Sequence, residues 1–425
     1  MKNVVNRAPR EQRKTFFPLA AKKKTIFTLV AALCCASISA EIINGTSGDL
    51  TFNFNTETGV MNFDGDGAMA DYKSGSDRPW HTYRDDITSV RFWGNPTAIG
   101  DYAFSNCQNL TACNFPSTLT KIGDMAFAHC ALTGSVSFSY NLTKLGSEAF
   151  NNCTQITDFY LPTTLTDIGT GAFAHCSGLT YFAGGDDNPN YTIAGDVLFN
   201  KDKTVLMYYP AAHSRTSYTV PQSVSEIGDY AFADCKGLTS VAIPNSVKSI
   251  GDFAFGNCIG LTSVTIPNSV TNIGNYAFER CTGLTSVTIP NSVQSIGEWA
   301  FADCSNLTAL TIGNSVQSIE TNAFYGCSGL TTITCKAINP PTLGYAVFFK
   351  VDKTIPLYVP AQSVEAYKAA DGWKDFKDNT YPIPDEAIDQ ISPKRSTLNA
   401  KRIINGHLYI HHGNQTFNAQ GARVE

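Results

Sequence analysis

The chain has 425 residues, with 31 Lys and Arg against 36 Asp and Glu, a formal net charge of −5 and only 16% charged residues. Hydrophobic residues at 43% are ample for a buried core, while Ser, Thr, Asn and Gly occupy much of the surface usually given to Lys and Glu, which argues against a cytosolic helical protein and for a β-rich extracellular one. Setting aside the first 40 residues, which carry +7, leaves −12, a poor match to nucleic acid or an anionic membrane.

Residues 1–40 read as a secretory leader: Lys22, Lys23 and Lys24 precede the apolar run TIFTLVAALCCASISA, which ends in small residues, with cleavage expected after Ala40. After it the chain repeats itself. Cys107, Cys130, Cys153 and Cys176 are spaced by 23 residues, and so are Cys235, Cys258, Cys281, Cys304 and Cys327. A Phe stands three residues before each of the nine, an Ala precedes that Phe, and Ile–Gly precedes the pair, with Leu145 and Glu320 as departures. LTSVTIPNSV occurs at 261–270 and again at 284–293. Such self-similarity predicts a solenoid, in which stacked units bury what one unit cannot.

Each column has an expected job. Leu261, Val264 and Ile266 turn inward from a short strand, Pro267 ends it, and Val270 and Ile273 supply a second inward edge. Gly274 is expected to permit a tight corner, and Ala277, Phe278 and Cys281 to lie on the inner side of one helical or 3₁₀ turn. Between Cys176 and Cys235 the spacing rises to 59, and the extra segment, about 184–220, has two alternating runs around NKDK that predict a β-hairpin protruding from the array.

LTSVTIPNSV, IGDYAF and the trailing Cys together resemble the leucine-rich repeat class, and within it the BspA-like 23-residue type found on bacterial and protozoan cell surfaces. The resemblance implies a β-rich leucine-rich repeat array over 93–335, a β-hairpin N-terminal cap over 41–92 and a strand–helix C-terminal cap over 336–382. A linker follows over 383–394, and 395–425 reads as a two-stranded tail similar to C-terminal sorting tails of surface proteins. Where the commoner pattern has a ladder Asn, Ser246, Ser269, Ser292 and Ser315 stand here, so a Ser ladder is expected.

The chemistry-bearing residues favour bland roles. Nine cysteines in one column cannot surround a metal tetrahedrally and read as buried free thiols, with Cys113 and Cys335 as further core positions. His129 and His175 are two coils apart, and neither DGDG at 64–67 nor DDNPN at 186–190 carries a full calcium-loop pattern. With no phosphate loop, no HExxH and no supported Ser–His–Asp set, no catalytic, cofactor or metal site is expected.

The remaining signal is surface. Five and seven residues after each Cys the outward strand positions are mostly Ser, Thr and Ala, and Asp158, Tyr160 and Tyr181 break that background. The insertion adds Tyr191, Tyr208, Tyr209 and Tyr218, and exposed tyrosines are favoured contact residues, so these seven form the candidate ligand patch. About half of the tyrosines are equally explained as cover for the junction. The BspA-like resemblance implies a secreted or cell-surface adhesion protein whose partners are extracellular proteins or glycoproteins of host matrix or other microbes. Glycan capture and a purely architectural surface-layer role stand as alternatives.

Overall fold

The computed structural model describes residues 41–384 in full, and beyond them the backbone of 400–404, 407–412, 415–418 and 423–424. The leader and most of the linker lie outside the described residues. The chain winds as a solenoid in which each coil contributes one strand to each of two parallel rows. In one row Ser240–Ala242 pairs with Ser263–Thr265, with Val241 opposite Val264. In the other, Asn272–Ile273 lies between Ser249–Ile250 and Ser295–Ile296. Alternation places Val264 inside and Ser263 and Thr265 in solvent, as the period of two requires.

The third side of each coil departs from expectation. It is a ribbon of turns rather than a helical turn. Ala254, Gly256 and Cys258 donate their N–H groups three residues back, to Gly251, Phe253 and Phe255. The intervening N–H groups of Phe253, Phe255 and Asn257 reach across to the carbonyls of Asn275, Ala277 and Glu279, at 2.9, 2.7 and 2.7 Å. Half the donors are thus committed to the neighbouring coil, and a helical ladder cannot form. The geometry demands left-handed backbone twice per coil, at Phe253 (φ 53°) and Asn257 (φ 60°). Gly274, by contrast, is not at positive φ. It is small because the preceding coil passes so close that a Cβ there would sit 2.5 Å from the Asp252 Oδ1 and 2.6 Å from the Gly251 carbonyl carbon.

Rows are tied by side chains, and the expected Ser column does so only in part. Ser292 donates to the Val270 carbonyl of the preceding coil, while Ser246 and Ser269 bury their hydroxyls without a partner and Ser315 bonds its neighbour Asn314. A Thr column does most of the tying: the hydroxyls of Thr239, Thr262, Thr308 and Thr331 each donate to the carbonyl of the Thr (Thr216, Thr239, Thr285, Thr308) 23 residues earlier, at 3.0, 3.2, 2.9 and 3.0 Å. The cysteines form a second ladder. All eleven of the described cysteines are free, and the Sγ of Cys258, Cys281 and Cys304 donates to the carbonyl of Phe232, Phe255 and Phe278, at 3.0, 3.1 and 3.2 Å. A thiol is small enough for the core and still supplies a donor to a buried carbonyl.

At the N-terminal end Ile42–Ser47, Leu50–Asn55 and Val60–Asp64 form an antiparallel meander that joins the first array strand, Ser89–Phe92, in parallel. The first coil has no predecessor to bond its turn carbonyls. The cap supplies the donors: Tyr72 N–H to Asp101, the Trp80 indole to Ala103 at 2.9 Å, and the Arg78 guanidinium to Ser105 at 2.6 Å. At the other end strand Leu357–Val359, helix Val364–Ala369 and a 3₁₀ segment Trp373–Asn379 close the core, with Trp373 and Phe376 packed on Phe348.

The inserted segment does not protrude as a hairpin. It is a three-stranded meander, Tyr191–Ala194, Val197–Asn200 and Val205–Tyr208, whose last strand pairs in parallel with Glu226–Ile227 and so begins a nine-stranded row. Its two faces serve two cores. Leu198 and Tyr208 belong to the hydrophobic cluster that ends at Phe182, while Val197, Phe199, Leu206 and Tyr209 belong to the cluster that continues to Phe376. The described part of the tail has four short antiparallel strands rather than two.

Candidate binding surfaces

Strand Ile156–Leu161 has six residues, against four in each neighbour, Gly134–Ser137 and Tyr181–Gly184. Its register slips by one between Ile156 and Asp158, a bulge that turns Asp158 and Phe159 inward in succession. Asp158, expected in solvent, is therefore only 4% exposed. The Thr157 hydroxyl donates to its Oδ2 at 2.7 Å, and Oδ1 has no partner. The slip leaves Tyr160 pointing out, 41% exposed, between the small residues Ser137 and Ala183 on the two neighbouring strands. Its hydroxyl lies 3.1 Å from that of Tyr181, and the two rings meet edge to face at 86° with centroids 6.2 Å apart. The Tyr181 hydroxyl is pushed up to about 12, chiefly by its bond to Tyr160, with lesser contributions from desolvation and the nearby Asp158 charge.

The other four tyrosines of the sequence-derived patch are positioned elsewhere. Tyr208 and Tyr209 are buried, at 6% and 4% exposure, one in each core cluster. Tyr218 is half-buried against Tyr209 and Phe232. Tyr191 is half-buried, its hydroxyl accepting from the Ile168 N–H at 2.9 Å. Tyr208, on a strand bonded on both sides, and Tyr209 after it are thus sealed inside the junction, while Tyr191 and Tyr218, on edge strands, lie half-buried beside it. Of the seven residues only Tyr160 and Tyr181, floored by Asp158, form a shared outward feature.

A second surface was missed in the sequence. The residue before the Ala–Phe pair is Tyr230, Phe253, Tyr276 and Trp299 in four successive coils, and Tyr325 and Phe349, three positions later in the motif, continue the line. Their rings stack along the turn side with centroids 5.0, 4.4, 6.1, 5.3 and 5.3 Å apart, and the first three steps are within 5° of parallel. Three of the four column residues follow an acid directly: Asp229, Asp252 and Glu298. Four of the rings sit at positive φ, where bulky residues are outliers, so stacking has to compensate for backbone strain. The signal was legible as a column that alternates in identity yet stays aromatic.

The ladder ends at a polar cleft of about 340 Å³ at the junction, lined by His175, Asp234, Asn257, Glu279 and Arg280 among others. His175 Nδ1 lies 2.5 Å from an Asp234 carboxylate oxygen, across the 59-residue gap in the repeat, and Lys236 lies 3.3 Å from the other. Burial opposes ionisation of Asp234, but the His175 bond and charge, with Asn257 and Lys236, hold its carboxyl below the ordinary range. His129 bonds Asn152 instead, so the two repeat histidines do not meet. Among the described residues no group of three or more His, Cys, Asp or Glu is placed to hold a metal, and no helix is long and apolar enough to cross a membrane.

Comparison with known proteins agrees with this architecture. A leucine-rich repeat protein from Eubacterium ventriosum is 25% identical and superposes with a TM-score of 0.62, over 87% of this chain and all of that one. A leucine-rich cell surface protein from Faecalibacterium prausnitzii is 24% identical over 70% of this chain and 96% of its own, TM-score 0.50. The pneumococcal vaccine antigen PcpA is 19% identical over 81% of this chain and 97% of its own, TM-score 0.54. No curated protein matches the chain. The BspA type leucine rich repeat region matches residues 81–204 and 208–331 in six copies, more than half of the chain. The chain belongs to the BspA-type leucine-rich repeat family.

Proposed function

We propose that the protein is a secreted or cell-surface binding protein that adheres to extracellular proteins or glycoproteins through preformed faces of a rigid solenoid, without catalysis. The observation that carries this reading is the Tyr160–Tyr181 pair, two outward rings joined hydroxyl to hydroxyl on a face whose other coils present Ser and Thr. Aromatic side chains of this kind supply large contact area at low entropic cost. The Tyr160 strand is fixed on both sides by parallel pairing and the Tyr181 strand is paired along it, so binding orders little backbone. Family membership supports the reading, as does likeness to a cell surface protein of Faecalibacterium prausnitzii. The leader over 1–40 and the tail over 395–425 fit export and surface attachment.

The test is saturable binding of the full chain to an immobilised panel of matrix glycoproteins, with polysaccharide gels beside it. Retention by at least one glycoprotein supports adhesion. Retention on polysaccharide alone reassigns the face to glycans, and self-association without any foreign ligand favours an architectural role.

A further inference from the structure

We propose that the aromatic ladder on the turn side is a second binding surface, and that its partner is a lysine- or arginine-rich polypeptide segment. The ladder is six rings long, and five of them are half-buried, so their edges form a continuous apolar stripe flanked by ionised groups. Those groups are overwhelmingly acidic. Between residues 226 and 335 there are eight Asp and Glu against three Lys and Arg. Glu279 and Glu298 both lie close enough to Tyr276 to raise the pKa of its hydroxyl, after burial, through their charge.

Basic side chains match this arrangement in two parts. Their methylene stems cover apolar surface while the charged head stays in solvent or meets a carboxylate. Stems lying along the ring edges would carry their heads to the carboxylates that flank the ladder. The protein already sets one cation of its own against the ladder: the Lys350 ammonium sits over the Tyr325 ring, 4.9 Å from its centre, at the far end. The break between Trp299 and Tyr325, tilted by 45°, opens ring faces where a guanidinium or ammonium can stack. Long-range attraction acts in the same sense, because residues 41–384 hold 31 acids against 18 basic residues. An acidic partner would meet repulsion over the stretch from Tyr230 to Trp299, where Asp229, Asp252, Glu279 and Glu298 lie.

The experiment titrates the full chain into a fluorescently labelled decalysine peptide at low salt, followed by anisotropy, with decaglutamate as comparison. Tyr276→Ala combined with Trp299→Ala removes the centre of the ladder, and circular dichroism checks that the coils remain. Glu298→Gln is the milder variant, since that side chain makes no hydrogen bond within the described residues and its loss disturbs no packing. The proposal expects decalysine binding that weakens about 10-fold in the double variant, roughly 3-fold in Glu298→Gln, and not at all in Tyr160→Ala, with no binding of decaglutamate. Equal binding by both ladder variants, binding of decaglutamate, or loss of decalysine binding in Tyr160→Ala instead would each overturn it.

Discussion

The Sγ of Cys281 faces the carbonyl of Phe255 at 3.1 Å, and the same bond recurs along the column. This explains why neither Ala nor Ser stands there: Ala has no donor, and Ser is more costly to desolvate. Burial pushes the thiol of Cys153 up to about 12 and those of Cys130, Cys176 and Cys304 well up too, so these four stay protonated at neutral pH. In the native protein a thiol reagent should modify at most Cys113, and all eleven described thiols after denaturation; rapid native labelling of the column would contradict the ladder. At the junction, Asp234 is held ionised below its ordinary pKa, so it contributes stability above the unfolded value of 3.8 and loses it as pH falls through the lower folded one. Asp234→Asn should therefore flatten the acid limb of a stability–pH curve below about pH 4 and leave its shape near neutrality unchanged, as read from urea midpoints.

At the scale of one coil, the sequence made the two strand rows legible, because Leu, Val and Ile recur with the period a half-buried strand needs. It did not make the turn ribbon legible. Ala277, Phe278 and Cys281 have a spacing that suits one helical turn as well as a chain of β-turns, and only the inter-coil bonds decide between them. The role of Gly274 was likewise hidden, since close approach of a neighbouring backbone leaves no mark in the local sequence. Gly274→Ala should then destabilise by more than the loss seen for a merely flexible position, about 1–3 kcal/mol, through overpacking against Gly251 and Asp252. Lys203→Gly, at an exposed position with φ 55°, should be nearly neutral by the same chemical denaturation assay. The bulge at Asp158 was also invisible: counting from Cys153 gives an outward residue, and one slipped pairing makes it an inward one.

For the whole molecule, the inserted meander is the joint between two hydrophobic clusters, and of the seven candidate contact residues Tyr208 and Tyr209 are buried in that joint, with Tyr191 and Tyr218 half-buried beside it. The sequence located the place where the repeat is broken but could not say which tyrosines face out, because an insertion folded into the array has the same alternation as one that protrudes. Leu198 and Tyr208 are paired across the meander and both face the first cluster. Leu198→Ala should cost about 2–5 kcal/mol and lower the melting of the first half below that of the second, seen by calorimetry as two separated transitions. One unshifted transition would contradict the place given to Leu198 in the joint. On the strand face, ligand contacts are expected where the repeat pattern fails, at Tyr160 and Tyr181, and not on its repeated Ser and Thr background. The direct measurement is the Kd of the full chain for whichever immobilised glycoprotein retains it, compared between Tyr160→Ala with Tyr181→Ala and the background pair Ser263→Ala with Thr288→Ala. The tyrosine pair should weaken binding by about 10-fold or more, as expected for removing a contact hot spot, while the background pair should leave it unchanged; equal affinity in both would contradict the claim.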